Sequence, residues 1–161
     1  MDTIKNIIDI ILKWLTIIIF SLATILVIYQ VFTRYALHSP SSWSESAITY
    51  GFIWFVLLCS AYVFGQREHM NMSFIRDKFS KKVQIIIEFI CEIFIEFLAI
   101  VAFIIGGYNM SVSQMMQIDP SLKIPVGIIY AVVPISGVCM LFYCIYNQYM
   151  LIKELKNQKN I

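Results

Sequence analysis

The sequence predicts an all-α integral membrane protein: four transmembrane helices, preceded by an N-terminal amphipathic helix lying in the membrane interface. Three observations lead there. Hydrophobic residues make up 60% of the 161-residue chain and charged residues only 14%, against roughly a quarter charged in soluble domains. Mean hydropathy is +0.78. Four apolar runs each reach the length, on the order of 20 residues, that crosses about 30 Å of hydrocarbon. Lipid offers no partners for bare peptide groups, so each run satisfies its backbone as a helix. The whole chain, 1–161, reads as one membrane domain without internal repeat or flexible linker.

The first element, about 2–13, is amphipathic. Ile4, Ile7, Ile8, Ile11 and Leu12 follow helical spacing, and Asp2, Lys5, Asn6, Asp9 and Lys13 take the other face. Such a helix lies along the membrane surface, with Asp9 and Lys13 paired one turn apart. Span one covers about 14–33. Ser21-Leu22-Ala23 has the small-residue form of a leader cleavage site. Asp2 and Asp9 are foreign to a leader, however, and the apolar run continues to Val31, which predicts a retained helix.

Span two covers about 46–65. Ahead of it, Ser42-x-x-Glu45 has the form of a capping box, with Pro40 marking the turn. Tyr35 and Trp43 suit an interfacial aromatic belt, and Arg34 ends span one within reach of headgroups or water. After span two, SFIRDKFSKKV reads as a second, short interfacial helix.

Span three, about 83–108, carries Gln84, Glu88, Glu92 and Glu96 four residues apart, so the four share one slowly drifting face. Carboxyls in the apolar slab are costly unless protonated or partnered. One reading is a proton or cation path. The other is a polar seam facing a neighbouring helix, preferred because the spans hold no Lys, Arg or His to complete a relay. Span four, about 125–146, starts at Pro125 and is expected to kink at Pro134, which lacks a backbone donor. Gly127 and Gly137 permit close helix approach.

Basic residues fix the predicted orientation. Lys5, Lys13, Arg67, Arg76, Lys78, Lys81, Lys82, Lys153, Lys156 and Lys159 fall on one side, and Arg34 and Lys123 on the other. Positive charge stays in the cytoplasm, so both termini are expected there. The basic excess also suits contact with anionic membrane lipids.

Several chemistries find no support. The four cysteines fall in apolar runs without C-x-x-C spacing and are expected to pack as small apolar side chains. His38 and His69 are placed on opposite sides, so they cannot jointly hold a haem. No metal-ligand spacing, nucleophile motif or phosphate loop occurs. The expectation is therefore no catalytic residue, no metal, no cofactor and no nucleic-acid partner.

The ordered motifs carry a resemblance. RY closes span one, W-S-E opens span two, R-E-H-M-N-M follows span two, and SLKIPVGIIYAVVPISG opens span four. Together they resemble the small membrane subunit, DctQ type, of tripartite ATP-independent periplasmic (TRAP) transporters, over essentially the whole chain. The resemblance matches Arg34, Tyr35, Trp43, Glu45, Trp54, Arg67, His69, Leu122, Pro125, Tyr130, Pro134 and Gly137 to family positions. Ser73 stands where the family often has an acid, and the glutamate stripe maps onto no family motif.

The resemblance implies a non-catalytic subunit that braces a large TRAP membrane subunit. An extracytoplasmic solute-binding protein would supply an organic acid, and a sodium gradient would drive its uptake. The matched positions would then shape the helix turns and the subunit interface. The rival function is a self-sufficient proton-coupled exchanger working through Glu88, Glu92 and Glu96. A quinone-linked redox enzyme would instead need cysteines near the outer face.

Overall fold

In the computed structural model, which describes residues 2–39, 41–66 and 81–158, four helices are long and apolar enough to span a membrane. Helix α1 runs from Asp2 to Tyr35 without interruption. The amphipathic start and span one are thus a single rod of about 50 Å at 1.5 Å per residue. The physical reason lies in the sequence: no proline or glycine occurs between Asp2 and Tyr35, so nothing bends the chain where the in-plane segment was expected to turn. Thr16 and Thr24 return their hydroxyls to carbonyls of the preceding turn, Leu12 and Phe20, and stay helical in apolar surroundings.

His38 reverses the chain after α1 with φ 51°, a left-handed conformation in which histidine is enriched among non-glycine residues. Helix α2 spans Ser42–Gly65, with Ser41 as its N-cap. This corrects the expected capping box: Ser42 already lies inside the helix, and Ser41 makes no side-chain capping bond. Glu45 turns instead toward Arg34 across the hairpin, 3.7 Å away.

Helix α3 spans Lys81–Leu98 and passes into a π-helical segment, Ala99–Gly106, before α4, Gly107–Ser113. Span three therefore runs on to Ser113. A structured loop leads to α5, Val126–Tyr130, capped by Pro125. After a break at Ala131, α6 runs from Val132 to Gln158. The break lies just ahead of Pro134, whose ring crowds the carbonyl four residues back and whose nitrogen donates nothing to it.

Helix α6 is the central element. It packs on α2 along one side and on α3 and the π segment along another, while α1 packs chiefly on α2. The core they share holds Leu12, Leu58, Phe64, Val132, Tyr143 and Cys144. Close approach is set by glycines. A Cβ on Gly65 would lie 2.5 Å from the Tyr143 ring, and one on Gly137 would lie 2.7 Å from Phe103 Cβ. With helices strung in the order α1, α2, α6, α3 rather than closed into a ring, α1 and α3 keep most of their apolar side chains exposed.

Candidate functional site

Polar side chains gather at two levels: the hairpin end, with the 36–41 and 114–125 connections, and the terminal end, where the chain begins and ends. At the hairpin end Asp119 is the organising group. Its Oδ1 accepts the backbone N–H groups of Ser121 (2.9 Å) and Leu122 (2.7 Å), the local turn that Asp before Pro120 favours. Its Oδ2 accepts the Tyr50 hydroxyl from α2 at 2.5 Å. Tyr50, then the Leu122 and Ser121 amides, hold the Asp119 carboxyl below its ordinary pKa against the opposing effect of burial.

Backbone bonds from Asp119 N to Ile124 O (3.0 Å) and from Val126 N to Gln117 O (2.8 Å) close the loop. An antiparallel bridge of Ile118 with Pro125 joins them, and Lys123 turns the chain with φ 55°.

One turn below Tyr50, Trp54 donates its indole N–H to the carbonyl of Ile129, 3.0 Å away, beside the break at Ala131. Ser111 donates to the Gly127 carbonyl at 2.7 Å. This contact requires a glycine at 127, because a Cβ there would run into the Ser111 carbonyl oxygen. Two positions singled out by the resemblance, Trp54 and Pro134, thus have a physical link: the proline breaks the helix and the tryptophan covers a carbonyl at the break.

At the terminal end, the α6 turn from Tyr143 to Gln148 meets carboxylates from both flanking helices. Tyr143 donates its hydroxyl to Asp9 of α1 at 2.5 Å. Lys5 lies 3.9 Å from the other Asp9 oxygen and 5.4 Å above the Tyr146 ring centroid. Asp9 therefore pairs with Lys5, a turn earlier, rather than with Lys13 as the sequence suggested. On the other flank, Gln148 donates to Glu96 at 2.7 Å. Glu92 is fully buried and lies beside Cys144 of α6. Gln84 and Glu88, on the same face of α3, are half-buried.

The remaining expected positions fall as follows. Arg34 and Glu45 pair but are exposed, and Tyr35 points away from the protein. Trp43 stacks obliquely on Tyr29 with ring centroids 5.9 Å apart. Pro125 caps α5, Tyr130 is half-buried, and Gly137 seats the π segment. Arg67 and His69 lie outside the described residues, as does the short interfacial segment 73–83 except for its last three residues. Sequence reasoning missed Tyr50, Asp119 and Tyr143. Asp-Pro-Ser is a legible turn signal for Asp119; nothing local marks the two tyrosines, whose partners are remote in sequence.

Chemically, these groups hold helices together. Among the described residues no group of three His, Cys, Asp or Glu side chains could hold a metal ion. The outer surface of α1 and α3 is broad and apolar, including Ile25, Ile28 and Phe32 on α1 and Ile90, Phe94 and Phe97 on α3.

Two comparisons bear on this arrangement. Residues 23–154 match the family model described as tripartite ATP-independent periplasmic transporters, DctQ component. The chain is also similar to the sialic acid TRAP transporter small permease protein SiaQ of Vibrio cholerae serotype O1. The two are 28% identical over 127 residues, covering 79% of this chain and 73% of that protein.

Proposed function

The chain belongs to the DctQ component family of TRAP transporters, and from that premise we propose that it braces a large membrane subunit and has no catalysis of its own. It is a transport component, a small permease subunit held in a bacterial membrane by four helices. In the proposed system an extracytoplasmic solute-binding protein delivers an organic acid. The large subunit moves it inward on a sodium gradient, and this chain anchors the part that stays still. The sialic acid in the name of the Vibrio cholerae relative is one member of that substrate class. The terminal end then faces the cytoplasm, and the hairpin end faces the binding protein.

One observation carries the reading. The carboxyls at Asp9 and Glu96 accept hydrogen bonds from side chains of α6, and Glu92 is fully buried beside it, while the flanks of α1 and α3 present wide apolar surface. A protein built this way is suited to burying its sides against another membrane protein. The exchanger reading is less well supported, because Glu92 is buried away from solvent and Glu96 accepts a hydrogen bond from Gln148 of α6. Arg34, Trp43 and Glu45 would shape the rim of the complex at the hairpin end.

The test is reconstitution. This chain should co-purify with the large subunit, and vesicles should accumulate the organic acid only when both membrane subunits and the binding protein are present. Saturable uptake by this chain alone, or its loss on changing Glu88, Glu92 and Glu96 to glutamine, would reverse the conclusion in favour of an exchanger.

A further inference from the structure

Two neighbouring helices are irregular at the same level. The π segment Ala99–Gly106 interrupts the first, and the break at Ala131 ahead of Pro134 interrupts the second. The irregular stretches touch. A Cβ on Gly107 would lie 2.7 Å from Val133 Cγ1 and 3.0 Å from Pro134 Cδ, and Gly137 sits as closely on Phe103. Helices bend most cheaply at π turns and at prolines, where the regular ladder of backbone bonds is weakened or missing.

Beyond this level, residues 107–131 are knitted into one unit. Ser111 bonds to Gly127, Gly127 N to Gln114 O (3.1 Å), Val126 N to Gln117 O, and Asp119 N to Ile124 O. Two side chains of α2, one turn apart, fasten that unit to the rest of the protein: Tyr50 on Asp119 and Trp54 on Ile129. We propose that 107–131 is a hinged cap that pivots on the paired irregularities, with Tyr50 and Trp54 as its latches.

The consequence is a scaffold with one movable part. Opening the cap removes two donors at once and leaves the Ile129 carbonyl without the indole that covers it, which keeps the closed form favoured in apolar surroundings. Because α2 carries both latches, α2 sets where the hairpin end of α4 and α5 stands.

The test is amide hydrogen exchange on the full chain in phospholipid nanodiscs, without any partner, so that the outcome does not depend on whether the chain braces a larger subunit. Tyr50→Phe with Trp54→Phe should raise exchange within 107–131 by roughly tenfold or more, the shift expected for the loss of one or two net hydrogen bonds. Exchange in 85–98 and 138–151 should stay as in the parent. No change within 107–131, or an even rise along α3 and α6, overturns the proposal. Pro134→Ala supplies a second, milder arm: restoring an N–H at the break should slow exchange in 126–134, and unchanged exchange there removes the hinge.

Discussion

Gly51 and Gly137 make a matched pair on which the effect of close helix packing can be measured. Both lie inside spanning helices, so Ala at either position should gain roughly 0.5–1 kcal/mol from helix propensity. Their surroundings differ. A Cβ on Gly51 has nothing within 4 Å, whereas one on Gly137 would stand 2.7 Å from Phe103 Cβ, 3.1 Å from Ile104 Cγ1 and 3.3 Å from Ile104 N. Carbon atoms rest about 3.5–4.0 Å apart, so α6 and the π segment would have to separate by about 1 Å. Phe103 Cβ and Ile104 N are fixed to the backbone and cannot swing aside.

Overpacking of this kind costs about 1–3 kcal/mol. The propensity gain cancels in the comparison, so Gly137→Ala should be less stable than Gly51→Ala by about that amount. Equilibrium unfolding in mixed detergent micelles with increasing denaturing detergent would read the difference. Equal stabilities, or a more stable Gly137→Ala, would refute the claim that close approach at Gly137 determines where α6 sits.

Further outcomes follow from the polar contacts. Asp119 has a depressed folded-state pKa, so its contribution is full above the ordinary carboxylate value and is lost as pH falls through the depressed one. Trypsin cleavage after Lys123, followed under native conditions, should accelerate in Asp119→Ala at neutral pH, whereas the parent loop stays resistant. Glu96→Leu removes the acceptor of Gln148 and should destabilise by about 1 kcal/mol, while Glu96→Gln should cost less; the same detergent titration reads both. Arg34→Ala should change stability by less than about 0.5 kcal/mol, because its 3.7 Å pair with Glu45 is exposed on both sides. A larger loss in that assay would mean that the hairpin depends on the pair.

Hydropathy and proline placement made much of the molecule legible. Four apolar runs became four long helices, and Pro134 marked the last run for an irregularity, which the structure places just ahead of it at Ala131. Asp-Pro-Ser likewise announces the turn around Asp119. The stripe at Gln84, Glu88, Glu92 and Glu96 placed four polar groups on one face of α3, because their spacing follows from the helix pitch alone.

Partners were another matter. Tyr50 meets Asp119, Trp54 meets Ile129 and Tyr143 meets Asp9 across 69, 75 and 134 residues of chain. Local spacing carries no information about such pairs, which exist because α6 lies between α2 and α3 and α1 reaches over to it. The same holds for the N-cap, which falls at Ser41 without a side-chain capping bond while Glu45 faces Arg34 across the hairpin, and for Asp9, which turned to Lys5 and Tyr143. By itself the sequence determined what kind of solvent this protein lives in and how many times it crosses it, since those depend on the apolar content of each run. The tertiary structure decided which polar groups meet, because that depends on helix order and on glycines at the contacts, neither of which a linear pattern encodes.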